Sequence, residues 1–130
     1  MGHVGLTPQF VNLFGGFKVQ GRTNKAEQMI FNQALKLQDL GCFAIVLECV
    51  PEKLAQKITA ELKVPTIGIG AGVTTDGQIL VLQDMLGLSD MNLKFVKKYE
   101  NFSERTVNAI NTYCEDVQMK NFPREENTFL

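Results

Sequence analysis

The sequence predicts a parallel α/β fold of about four β/α units, half the number that closes an eight-stranded (β/α)8 barrel. Two observations predict it. Short apolar, β-branched runs alternate with segments of helical spacing along the chain. The clearest run, Phe43-Ala44-Ile45-Val46-Leu47, is apolar at every position, as a parallel strand covered on both faces requires. Four such units alone would leave two unpaired strand edges and an uncovered inner face. The pattern therefore implies either a fragment of a larger barrel or a chain that something else completes.

The elements follow in order. Val4-Gly5-Leu6 reads as the end of a strand whose start is missing. Thr7-Pro8 is an N-cap with proline at the first helical position, opening a short turn through Leu13 that Gly15-Gly16 breaks. Lys18 to Thr23 is a loop. Asn24 can cap a helix to about Leu40, with Ile30, Ala34 and Leu37 on one face and Gly41 as a left-handed stop. The Phe43–Leu47 strand ends at Glu48. Pro51 opens a helix to about Leu62, with Leu54, Ile58 and Leu62 on one face. Thr66-Ile67-Gly68-Ile69 is a third strand, closing on Gly70-Ala71-Gly72. Ile79-Leu80-Val81-Leu82 reads as a fourth strand, with a buried helical turn as the alternative. Helices are expected around Asn92 to Tyr99 and from about Ser103 to Met119, the latter with Val107, Ile110, Cys114 and Val117 as its apolar stripe. The tail from Phe122 to Leu130 is expected to dock on the surface. The whole chain, 1–130, reads as one partial barrel domain, with the C-terminal helix and tail over about 103–130.

Composition narrows the function classes. The chain is 45% apolar and 21% charged, ordinary for a soluble globular protein. A net charge of −1 without a basic stripe argues against nucleic acid or an anionic membrane as partner. The Phe43–Leu47 run is far short of the roughly 20 apolar residues of a membrane span. Met1-Gly2-His3-Val4 shows no signal-peptide pattern, so a cytoplasmic location is expected. Cys42, Cys49 and Cys114 form no CxxC pair and read as small buried hydrophobes.

In parallel β/α folds the reactive groups sit where strands end. His3 is the only histidine and stands between glycines that permit close approach; a structural or solvated histidine is the plain alternative. Glu48 terminates the most apolar strand. Burial there raises a carboxylate's pKa and suits it to proton abstraction, whereas the plain alternative is a surface glutamate at the start of the Pro51 helix. Gly68-Ile69-Gly70-Ala71-Gly72 is either a cradle of backbone amides for an anionic or planar ligand or a tight turn. Asp76 and Asp84 bracket the fourth apolar run, about 26 Å apart if it is extended. That distance argues against a shared cation, and Asp76-Gly77 reads more simply as a turn.

Several motifs in register resemble one family, the ketopantoate hydroxymethyltransferases. They are Gly2-His3-Val4-Gly5-Leu6-Thr7-Pro8-Gln9, Gly15-Gly16-Phe17-Lys18-Val19-Gln20-Gly21-Arg22, Val46-Leu47-Glu48-Cys49-Val50-Pro51, Pro65 to Gly72, Thr75 to Val81, Phe122-Pro123 and Glu126 to Phe129. The resemblance covers essentially the whole chain. It implies the C-terminal half of a (β/α)8 barrel related to the phosphoenolpyruvate/pyruvate enzymes. It implies hydroxymethyl transfer from 5,10-methylenetetrahydrofolate to 3-methyl-2-oxobutanoate, giving 2-dehydropantoate for pantothenate and coenzyme A synthesis. It implies Glu48 as proton acceptor, His3 in a supporting place in keto-acid binding, and Mg²⁺ as the ion that polarises the substrate carbonyl. The family's metal-binding aspartates, and its substrate-binding serine and lysine, belong to the first four strands and match nothing here, so no metal ligand is assigned to this chain.

Three readings follow. The chain is half of an active transferase, completed by a complementary N-terminal half. Or it is an inactive half-barrel remnant or assembly module, which implies a homo-oligomer. Or it is another lyase or mutase of the same superfamily, against which the contexts of Glu48 and His3 argue.

Overall fold

A computed structural model describes residues 1–10, 16 and 18–129, with Phe10 described by its backbone alone. Its compact units are Met1–Leu80 and Val81–Leu130.

The first unit holds a four-stranded parallel sheet in sequence order: β1 (Gly2–Gly5), β2 (Ile45–Glu48), β3 (Thr66–Ile69) and β4 (Gly77–Gln78). Two helices connect its strands, α1 (Asn24–Asp39) and α2 (Glu52–Glu61). The α/β class with parallel strands is as the sequence predicts. The turn expected through Leu13 begins as a 3-10 helix at Pro8–Phe10, while Leu13, Gly15 and Phe17 lie outside the described residues.

The helices form where their apolar spacing demands. Ile30 and Ala34 of α1 and Leu54, Ala55 and Ile58 of α2 are buried in one cluster with Val4, Ile45 and Leu47, and Leu37 and Leu62 pack against it. Each large apolar side chain buried there contributes about 1.5–3 kcal/mol. The cap of α1 is Thr23 rather than Asn24: its hydroxyl accepts from the Ala26 amide at 3.3 Å, and its backbone is extended. Gly41, at φ +90°, ends the helix as expected.

Because side chains alternate across a strand, burial of Ile45 and Leu47 beneath the helices puts Val46 and Glu48 on the opposite sheet face. The parallel register aligns His3, Val46 and Ile67 in one row of that face, and Gly5, Glu48 and Ile69 in the next. Phe43, expected to open β2, lies before it and is largely exposed.

The fourth strand differs from expectation. Pairing with β3 covers Gly77 and Gln78 and ends with the Ile79 amide donating to the Gly68 carbonyl at 3.0 Å. Ile79 and Val81 are each 48% exposed and Leu82 is 57% exposed. An unbroken apolar run has no period to separate strand from helix, and here the chain leaves the sheet and turns into α3 (Leu82–Met85).

In the second unit α4 (Phe102–Gln118) lies close to the predicted Ser103–Met119, capped by Asn101. None of its residues is buried, so Cys114 is exposed, against expectation. The helix predicted around Asn92 to Tyr99 does not form; that stretch holds a single turn, with the Val96 amide on the Leu93 carbonyl. Lys94, Lys97 and Lys98 would stack on one helical face and repel. Instead Lys98 Nζ donates to the Ser89 carbonyl and Lys97 lies over the Tyr99 ring. In the tail, Phe122 meets the Tyr113 ring edge-on at 5.6 Å, while the other described residues through Phe129 are exposed rather than docked.

Candidate active site

Glu48 is the last residue of β2, on the face turned away from α1 and α2. Its side chain is 15% exposed. His3 in β1 is paired with Val46, one step diagonal from Glu48, a separation that long side chains bridge. Its Nε2 lies 3.1 Å from Glu48 Oε2 and 3.0 Å from the Leu6 carbonyl oxygen. The structure thus brings together the two residues singled out in the sequence.

Burial raises the Glu48 carboxyl above the ordinary carboxylate range, and it outweighs the opposing effect of the nearby imidazole, which favours the ionised form by charge and hydrogen bond. Burial also raises the neighbouring Cys49 thiol, reinforced by the charge of Glu48. Cys49 is therefore a protonated thiol in the core, not an activated nucleophile. Buried Cys49 and half-buried Cys42 suit the small-hydrophobe reading.

The backbone around Glu48 is unusual on both sides. Cys49 has φ +49°, a left-handed conformation that non-glycine residues adopt rarely and at a cost. It follows the reactive candidate directly, and its amide and carbonyl are bonded to the Ile69 carbonyl and the Gln20 amide. Opposite, Gly5 has φ +92°, and a Cβ there would collide with the Glu48 carbonyl oxygen. That close approach lets the Leu6 amide donate to the same oxygen at 2.8 Å. Sequence inspection marks Gly5 as a glycine of close approach; nothing in it marks Cys49 or Leu6.

The glycine-rich end of β3 is a turn. A Cβ on Gly72 would strike the Glu52 side chain, whose carboxylate lies near the Val73 amide at 3.5 Å. The Gly72 carbonyl and Thr75 hydroxyl accept from the Gln78 amide, both at 2.7 Å. A carboxylate already at the loop opposes an anionic ligand. At the other end of β3, Asp76 accepts from the Thr66 amide at 2.8 Å and from its hydroxyl at 3.0 Å. Those bonds hold the Asp76 carboxyl below its ordinary range. Thr66 is fully buried and shares a hydrogen bond with Thr59 of α2 at 2.8 Å. Sequence reasoning missed this network, because a threonine beginning a strand carries no sign of what lies beneath it.

Among the described residues no three His, Cys, Asp or Glu side chains converge to hold a metal ion. The Mg²⁺ implied by the resemblance thus has no fitting ligand set in this part of the chain. Among the described residues, too, no helix is long and apolar enough to cross a membrane.

Fold and site together describe a parallel α/β protein with a part-buried carboxylate–imidazole pair at its strand ends. A family model for ketopantoate hydroxymethyltransferase matches residues 1–125. Three curated relatives named 3-methyl-2-oxobutanoate hydroxymethyltransferase are similar along the chain. That of Francisella tularensis subsp. novicida (strain U112) is 55% identical over 130 residues, covering 99% of this chain and 49% of the relative. That of Bdellovibrio bacteriovorus is 56% identical, with coverage of 99% and 49%. That of Legionella pneumophila subsp. pneumophila is 51% identical, with coverage of 99% and 50%. The chain belongs to the ketopantoate hydroxymethyltransferase family. It spans about half the length of these relatives.

Proposed function

We propose that the chain is the C-terminal half of a (β/α)8 enzyme that transfers a hydroxymethyl group from 5,10-methylenetetrahydrofolate to 3-methyl-2-oxobutanoate, giving 2-dehydropantoate. The observation that carries this reading is Glu48: a part-buried carboxylate at a strand end, its pKa raised by burial and its Oε2 beside an imidazole. A base with a raised pKa is better matched to taking a proton from carbon near neutral pH than an ordinary surface carboxylate.

The substrate proton is on the branched carbon next to the keto group. Water breaks the two C–N bonds that hold the one-carbon unit. Its hydrogens pass to the two nitrogens, so that tetrahydrofolate leaves and an aldehyde-level carbon is freed. Glu48 takes the substrate proton, the electron pair left behind adds to that carbon, and the aldehyde oxygen takes up a proton. Water supplies the oxygen of the resulting hydroxymethyl group. His3 holds the supporting place beside the base. Mg²⁺, when bound by the rest of the enzyme, supplies carbonyl polarisation.

Co-expression with a complementary N-terminal half tests the reading. The expected result is formation of 2-dehydropantoate in the presence of Mg²⁺, reduced by on the order of 10²–10⁴ in Glu48→Gln. Well-folded, associated halves that make no product, or a Glu48→Gln variant of undiminished activity, would sink it.

A second reading is favoured by the edge of β1, which among the described residues pairs only with β2. An unpaired parallel edge invites a partner, and an inactive assembly module would find it in a second copy. Light scattering separates the two. The transferase reading expects one N-terminal half bound per chain, the module reading a stable homo-oligomer.

A further inference from the structure

The residues around Glu48 show how its base is held, which deepens the reading above and rests on it. Leu6 makes two contacts that belong to one device. Its amide donates to the Glu48 carbonyl oxygen at 2.8 Å, and its own carbonyl oxygen lies 3.0 Å from His3 Nε2. Gly5, with φ +92°, is the residue that turns the chain between His3 and Leu6 so tightly. A carbonyl oxygen only accepts hydrogen bonds, so Nε2 must carry the proton. The same N–H is 3.1 Å from Glu48 Oε2. It therefore bridges two acceptors, and this nitrogen has no lone pair to offer a substrate.

We infer that His3 is a positioning residue for Glu48, not a direct substrate ligand: Leu6 fixes the imidazole as an Nε2–H donor, that donor occupies Oε2, and Oε1 is left as the oxygen that takes the substrate proton. The arrangement reconciles two demands on the carboxylate. Burial gives it basicity, and one permanent donor keeps it ionised and aimed. Among the described residues His3 faces Glu48 from β1, the register partner of Glu48 in β3 is the apolar Ile69, and the residue that follows Glu48 is Cys49. Glu52, at the start of α2, is turned to the Val73 amide.

His3→Gln can keep an N–H near the position of Nε2, and His3→Leu removes it. NMR titration of the Glu48 side-chain carboxyl in the 130-residue chain should place the His3→Leu midpoint about one pH unit above wild type, with His3→Gln between them. Equal midpoints in wild type and His3→Leu overturn the inference. Should His3→Leu fail to fold, the unmodified chain still decides the matter. Its single histidine gives one imidazole signal set in long-range ¹H–¹⁵N spectra, and a ring protonated on Nδ1 alone overturns the proposal. With the complementary half present, kcat should fall in His3→Leu with its acidic limb moved upward, KM should hold, and His3→Gln should recover part of the loss. A rise in KM alone would make His3 a substrate ligand. An inactive wild-type pair would instead count against the transferase reading and leave the carboxyl titration standing.

Discussion

Glu48 and Asp76 carry opposite relations to pH. The folded-state pKa of Glu48 is raised, so between the unfolded value, about 4.3, and the folded one the native state binds more protons than the unfolded chain. Stability therefore falls as pH rises through that window. Glu48→Gln should make the chain more stable than wild type at pH 7, with the gain vanishing below about pH 4; a chemical-denaturation series against pH measures it. Asp76 has a lowered pKa, so its contribution is present above the unfolded value, about 3.9, and is lost as pH falls through the folded one. Asp76→Ala should also leave the buried Thr66 amide without its partner, at about 1–3 kcal/mol. Gly5→Ala combines a left-handed φ with a Cβ aimed at the Glu48 carbonyl. Its expected cost is at least about 1–3 kcal/mol, read from urea midpoints. At this scale the sequence pointed to Glu48 and His3 through strand ends and glycine spacing. The bond between them was not legible, because it depends on the register of β1 with β2, which juxtaposes residues 45 positions apart.

Elements were legible where a period is present and something covers it. The stripe of α1 and that of α2 face one shared core, and β3 runs over Thr66–Ile69 as read. Leu54→Ala should remove about 2–5 kcal/mol, since Leu54 is 2% exposed within that core. The start of α1 offers a finer test. Thr23→Ala should cost about 0.5–2 kcal/mol, while Asn24→Ala, one position inside the helix, should cost less; equal losses would return the cap to Asn24. Where the pattern misled, the cause is physical. The apolar run at Ile79–Leu82 lacks a period, and the stretch from Asn92 to Tyr99 sets three lysines on one prospective helical face. The stripe of α4 has a sound period yet no buried member. Periodicity says that a face can be buried, not that anything meets it.

At the scale of the molecule, four parallel strands in sequence order leave β1 with one neighbour among the described residues. A closed barrel gives every strand two. We expect an added N-terminal half to protect the β1 amides from hydrogen exchange, an effect that a copy docking elsewhere on the chain would not reproduce.

By itself, the sequence determined the parallel α/β class, the helices whose apolar faces form the core and the family, and it singled out the two residues that the fold brings together. These follow from local spacing and from motifs that stay in register along the chain. Only the tertiary structure decided that His3 and Glu48 touch, that the Leu6 carbonyl lies against the same imidazole nitrogen, that the glycine-rich end of β3 is a closed turn, and where the fourth strand ends. Each of these depends on which groups meet at hydrogen-bond distance, and that is settled by strand register, turn geometry and packing rather than by any residue's own preference.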